Sequence, residues 1–266
     1  MHTTNSNAVD PLAELRVPHI RREDVDSAEW QARVDLAAAH RIIDIYGWTN
    51  LIYNHATLRV PGQPDFFLVK PHNLLFNEVK ASNLLKLRID GKMTTEAENV
   101  NTAGFTIHTA VLQARSDLNS TVHVHTEVGM AMSAHDKGLL PINQGAMRFY
   151  NRLSYHAYEG MSKDLDERES IASDLGPSNK AMIMYNHGLL TGGSTMVEAL
   201  TSMLYLITSC RTQLLLEATG SPIRIPSPEI CEHAALQWEA IANFGTRDEW
   251  PAYLRMADRV DTSYRD

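Results

Sequence analysis

The period of apolar and polar positions changes several times along the chain, and each change marks an element. From Asp26 to Tyr46 apolar residues return at helical intervals ("WQARVDLAAAHRIIDIYG"), with an Asp-Ser start and Gly47 just beyond, which predicts a helix. The period then shortens. "NLIYNHATLRVPG" and "DFFLVKP" alternate or run apolar on either side of a Pro-Gly-Gln-Pro turn and predict a β-hairpin. "ASNLLKLRIDG" predicts a helical turn leading into a strand. "AGFTIHTAVLQAR" predicts an amphipathic helix with Phe105, Ile107, Val111 and Leu112 on its apolar side.

Two short β-like runs follow, "STVHVHT" and "KAMIMYNHG", preceded by the turn residues Ser116-Asp117 and Gly176-Pro177-Ser178. The pattern between them is mixed. Ser194 to Thr219 carries the longest helical pattern, with Ser194 or Thr195 as N-cap and Gly220 as its stop. Helices and strands interleave without a repeated unit, so the expected class is α/β, with helices flanking one sheet. Residues 1–25 read as a loosely held, Pro-interrupted arm and 26–225 as the domain. Residues 226–266 read as a helix and tail laid over the domain or over a neighbour.

Composition narrows the function more than the fold. The 266 residues are 44% hydrophobic and carry a net charge of -8, with no Lys/Arg cluster of the kind that displaces phosphate counterions, so no nucleic-acid partner is expected. No run of about 18 apolar residues and no targeting pattern at the N-terminus are present; no membrane partner is expected, and the chain reads as cytoplasmic. Cys210 and Cys231 lack any metal or redox spacing and read as reduced structural residues.

The candidate chemistry lies in the histidines. In a strand, His123 and His125 of "TVHVHT" project to one face while Val122 and Val124 face the other. A shared metal would satisfy both imidazoles, yet HxH also arises readily by chance in a chain with 12 histidines, so this pattern alone leaves both readings level. His187, at the end of "MIMYNHG" and just before a glycine, is a third candidate. Three neutral imidazoles suit Zn, Fe, Mn, Co or Ni and leave positions open for water or substrate, as catalytic sites do.

"HVHT" and the later "NHGLL", with "GFTIHTAVLQARSD" upstream and "YNHATLRVPG" near the start, resemble the class II aldolase/adducin family over roughly residues 30–220. The resemblance implies a three-layer α/β/α fold around a central, mainly antiparallel sheet, and a homo-oligomer of tetrameric type. It also implies a small-molecule substrate and a divalent metal (Zn, Fe(II) or Mn) on His123, His125 and His187, unless this copy is a scaffold that has lost the metal. Sugar-phosphate aldolases of the family carry Ser-Ser-Glu before the helix preceding the HxH strand, the Glu serving as ligand and acid/base. The matching run here is Thr102-Ala103-Gly104, and glycine cannot shuttle a proton.

The family's phosphate contacts map onto Asn54, Thr102 and, in place of a Thr-Gly pair, His72-Asn73, while Ala103 lacks a hydroxyl. Asn54, His72, Asn73, Thr102 and Gly104 are therefore the expected substrate contacts, and the substrate is expected to be non-phosphorylated. The room left at Gly104 suits a 2-oxo acid, a 2-hydroxy acid or a catechol-like group. Gln144 could line the pocket, and Tyr155, grouped with Tyr150 and His156, could donate a proton or simply pack. His108 reads as structural and His55 as a residue behind the ligands. Glu127 would replace the acid/base only if the HxH strand ran that far.

"NTAGFTIH" and "FLVKPHNLLFNEVKASNLLKL" look closer to the adducin-like branch. Three functions follow as expectations. The first is a metal-dependent lyase, of decarboxylase or aldolase type, acting beside a carbonyl of an oxo or hydroxy acid. The second is a mononuclear non-haem Fe(II) oxygenase cleaving a 2-oxo or 2-hydroxy aryl acid with O2, as resemblance to oxygenases of this fold in aminocoumarin pathways implies. The third is an adducin-like, non-catalytic interaction module.

Overall fold

Asp26 accepts hydrogen bonds from the backbone N–H groups of Ala28 and Glu29 and so starts α1 (Ser27–Ile45); Gly47, at φ +67°, turns the chain away after its end. The computed structural model describes residues 17–90, 99–161, 167–244 and 246–266, and for 242–244 and 246–247 the backbone alone. Strands β1 (His55–Val60) and β2 (Gln63–Val69) form the expected hairpin, followed by β3 (Leu85–Arg88). Asn101 caps α2 (Thr102–Ala114) through the N–H groups of Ala103 and Gly104, and β4 (Ser120–Val124) carries the HxH motif.

The mixed segment resolves into α3 (Glu127–Ser133), α4 (Gln144–Met147), β5 (Leu153–His156) and α5 (Glu167–Leu175). The run "KAMIMYNHG" divides into β6 (Ala181–Met184) and a turn. A further strand, β7 (Gly188–Gly193), leads into α6 (Met196–Glu217), with Thr195 as N-cap. The pattern gave no sign of β7 because it is buried along its whole length and neither alternates nor recurs at helical spacing. The C-terminal segment holds two helices rather than one, α7 (Pro228–Phe244) and α8 (Thr246–Val260), and then a 3-10 turn over Ser263–Arg265.

The seven strands run in the order β3-β2-β1-β4-β7-β6-β5, antiparallel except for the β5–β6 pair. Helices α1 and α6 cover one face, where Leu36, Ile42, Val122, Val124 and Leu200 pack, and α2 and α5 cover the other, where Ile107, Val111, Ile171 and Leu190 pack. This is the α/β/α arrangement with a mainly antiparallel sheet. Each such side chain removed from water contributes about 1.5–3 kcal/mol before ordering costs. Of the arm expected over 1–25, residues 1–16 lie outside the described residues. The remainder lies against the domain: Ile20 N–H donates to the Ser82 carbonyl at 2.8 Å. Among the described residues no helix is long and apolar enough to cross a membrane.

Register places the site. On β1 and β4, His55 pairs with His123 and Thr57 with Thr121. Alternation turns these four toward α2, while Ala56, Leu58, Val122 and Val124 face α1 and α6.

Candidate metal centre

His123 projects from β4, His125 stands one residue beyond its end, and His187 is delivered by the turn between β6 and β7. That turn needs Asn186 in the left-handed region (φ 54°), which asparagine tolerates, and His187 N–H closes it onto the Met184 carbonyl at 3.1 Å. The ring centroids are 4.7 Å apart for His123–His125 and 4.8 Å for the other two pairs. One nitrogen from each ring lies within 4.8 Å of the others.

The residues fit a divalent ion. Tetrahedral ligands about 2.0–2.1 Å from a metal sit roughly 3.3 Å apart, so a small closure of the rings suffices. His123 is fully buried, and its Nδ1 lies 3.0 Å from the Leu189 carbonyl. A carbonyl only accepts, so Nδ1 carries the proton and Nε2 keeps its lone pair, 2.8 Å from Nε2 of His125. Burial lowers all three pKa values: that of His123 falls well below the usual histidine range and that of His187 to about 4, so all three are neutral at pH 7.

The frame around the triad is built for close approach. Asn54 is fully buried, donates to the Trp48 carbonyl, and accepts from the His125 N–H at 3.2 Å, which ties the end of β4 to the loop before β1. A Cβ on Gly188 would meet the Val124 carbonyl oxygen at 2.7 Å and His125 Cδ2 at 2.8 Å, so only glycine lets β7 start there.

The structure brings several expected substrate contacts together and leaves others apart. His72 and Gly104 line one cleft with His55, Lys70 and Asn101. Asn73 sits beside it and accepts from Asn99 at 2.8 Å, while Thr102 is the exposed first residue of α2. Asn54 spends both polar ends on backbone. Gln144 is exposed at the start of α4, where its carbonyl accepts from Trp238 Nε1 at 2.8 Å. The Tyr155 hydroxyl accepts from Leu139 N–H at 3.0 Å, and its ring stacks on Tyr185 at 5.4 Å. Neither Gln144 nor Tyr155 is joined to the triad. Glu127 is the first residue of α3, because β4 stops at Val124, so the strand alternation that would have aimed it at the metal does not reach it.

Three features went unread in the sequence. Tyr158, 55% exposed, stands 6.4 Å from the His187 ring at 80°. Lys70 Nζ is buried among the carbonyls of Ile52 (2.8 Å) and Leu74 (2.9 Å), and burial brings its pKa down to about 8. Thr57 and Thr121 meet His108, which also contacts His55. The i, i+2 rule used for His123 and His125 would have found His55 and Thr57 on one face of β1.

The model of the Class II Aldolase and Adducin N-terminal domain matches residues 34–214. The chain belongs to the class II aldolase and adducin family. A Caulobacter vibrioides protein provisionally named as a class 2 aldolase is 38% identical, over 91% of this chain and 95% of its own. Rat alpha-adducin is 40% identical over 74% of this chain, a stretch that makes up 27% of the adducin. Among solved structures, an aldolase II superfamily protein from Pseudomonas syringae superposes with a TM-score of 0.86 at 41% identity, covering 92% of this chain and 99% of that one. The L-fuculose 1-phosphate aldolase from Glaciozyma antarctica PI12 superposes with a TM-score of 0.75 at 29% identity, covering 90% and 93%.

Proposed function

We propose that this family member is a divalent-metal-dependent lyase that makes or breaks a C–C bond beside the carbonyl of a non-phosphorylated oxo or hydroxy acid. The observation that carries the reading is the triad itself: three imidazoles held neutral, with His123 fixed by Leu189 in the tautomer that presents Nε2. A bound divalent ion supplies Lewis acidity at the substrate carbonyl. His123, His125 and His187 would hold it, Asn54 keeps His125 in place, and Tyr158 stands at the exposed side of His187.

Among the described residues no carboxylate joins the three histidines, and the resemblance to the family's sugar-phosphate aldolases sets Gly104 against their glutamate. Decarboxylation suits this site better than abstraction of a hydroxyl proton, because carbon dioxide leaves without needing a base. A homo-oligomer of tetrameric type belongs to the same proposal, supported by the exposed Tyr53 beside His72 and the exposed Tyr158 beside His187. Light scattering on the purified protein tests it.

The 40% identity to alpha-adducin supports a second reading, a non-catalytic interaction module. Elemental analysis after anaerobic purification, then carbon dioxide and oxygen assays on 2-oxo and 2-hydroxy aryl acids, separates the readings. Zinc or manganese with oxygen-independent product supports the lyase. Iron with substrate-dependent oxygen uptake replaces it with a mononuclear non-haem iron oxygenase, and absence of metal and turnover leaves the interaction module.

A further inference from the structure

We propose that His55 stands in for the family's missing carboxylate with the opposite hydrogen-bonding sense: it is held with its proton on Nε2 and donates that proton to an anionic oxygen of the substrate. The ligand class rests on the lyase reading; the tautomer does not. Position comes first. His55 faces His123 across β1 and β4, and a Cβ on Gly104 would fall 2.6 Å from both Cδ2 and Nε2 of the His55 ring. A side chain at 104 and His55 in this rotamer exclude one another. The glycine therefore makes room for a second kind of polar group.

The tautomer follows from counting protons. Thr57 Oγ1 and Thr121 Oγ1 are 2.6 Å apart, and both hydroxyls contact His108 Nδ1, that of Thr57 at 2.8 Å. Among the described residues neither hydroxyl has another partner. A proton on His108 Nδ1 would put three protons into this triangle with only two oxygens to accept them, and one buried hydroxyl would be left unsatisfied. With Nδ1 bare, Thr57 donates to Thr121 and Thr121 donates to Nδ1, or the reverse, and every proton is used. His108 then carries its proton on Nε2 and donates it to His55 Nδ1 at 2.6 Å. His55 Nδ1 is an acceptor, so its own proton sits on Nε2.

Among the described residues that Nε2 has no hydrogen-bond partner, and His55 lines the cleft shared with Lys70, His72, Asn101 and Gly104. A glutamate there would accept a proton and repel an anion. An imidazole N–H beside a buried lysine attracts one, which matches an acid substrate better than a sugar hydroxyl.

The first test is the imidazole region of long-range 1H–15N NMR spectra of the metal-free, full-length protein at pH 7.5, with His55 assigned through His55→Gln. The expected pattern is Nε2–H for His55 and His108 and Nδ1–H for His123; Nδ1–H on His55 overturns the proposal. The second is calorimetric binding of oxalate to the zinc-loaded protein. His55→Leu is expected to weaken oxalate by about tenfold or more, and His55→Gln, which keeps an N–H, to stay within about threefold of the parent. Equal affinity in the Leu variant, or no oxalate binding by the zinc-loaded parent, overturns the donor role. Zinc uptake is measured alongside: a protein that takes no zinc defeats the lyase reading, while the NMR spectrum still decides the tautomer.

Discussion

His55 and His123 face each other directly across β1 and β4, with ring centroids 5.2 Å apart and planes inclined by 25°. Burial holds the pKa of both well below the usual histidine range, so both are neutral at pH 7, and each needs its own partner for the proton it keeps: Leu189 for His123, and the cleft for His55.

Replacing His123 therefore removes more than a ligand. His123→Ala is expected to abolish bound metal, read by elemental analysis, while far-ultraviolet circular dichroism stays unchanged. It also strips the buried Leu189 carbonyl of a donor, at a cost of about 1–3 kcal/mol in urea unfolding. Full metal occupancy in this variant would remove the site assignment.

Gly188 is the tightest point in the frame. Gly188→Ala places a methyl group against the Val124 carbonyl and the His125 ring, neither of which can move without shifting a ligand. Zinc affinity, measured by competition with a chelator, is expected to fall about tenfold or more, as it does when groups that orient ligands are disturbed. An unchanged affinity would show that β7 can retreat without carrying His187 along.

Acid should unfold the protein through its buried histidines. Burial takes His40 and His108 to about 3, whereas in the unfolded chain each titrates near 6.5. Below pH 6.5 the unfolded state binds protons that the folded state refuses, so stability is complete above that pH and drains away as pH falls toward 3. At pH 5 the loss is on the order of 2 kcal/mol for each group. In urea titrations at pH 7.5 and 5.0, His40→Leu is expected to show a pH difference smaller by about that amount. An equal difference in variant and parent would mean that His40 is protonated in the folded state.

A buried ion pair anchors the β2–β3 edge of the sheet to α1. Arg33, 2% exposed, pairs with Glu29 at 2.9 Å and donates to the Leu84 carbonyl at 2.8 Å, and Lys86 reaches Glu29 from β3 at 2.6 Å. Arg33→Leu leaves the carboxylate with Lys86 alone and the carbonyl with no donor from this side. The expected loss is about 3 kcal/mol in thermal or urea unfolding, in line with removal of one partner from a buried pair. A loss below about 1 kcal/mol would mean that the lysine compensates.

The sequence made the long periodic elements legible. Helix α1, the β1–β2 hairpin, α2 and α6 each had a periodic run with a cap or a turn at its ends, and the structure places them within a few residues of where those signals fall. It hid β7, which has no polar face, and the short pieces α3, α4 and β5, whose runs are too brief to show a period. In the site, the HxH spacing and "NHG" pointed to the triad because strand alternation and a turn are local rules. The His108–Thr57–Thr121 contacts were not legible, since they depend on which residue of β1 stands opposite which residue of β4. Nor was the burial of Lys70, which is fixed by loops that come together only in the folded chain.

The pairing of β1 with β4 also limits how this protein can change over evolutionary time. Exchanging one surface residue for another leaves the site intact, but losing or gaining a single residue inside β1 would slide its side chains by one place. On one side of the change the faces would swap, turning Ala56 or Leu58 toward α2 and driving His55 or Thr57 into the oily layer under α1 and α6. One codon there would erase the imidazole cluster and spoil the core together, so descendants of this chain should vary in the residues of these two strands far more readily than in their length.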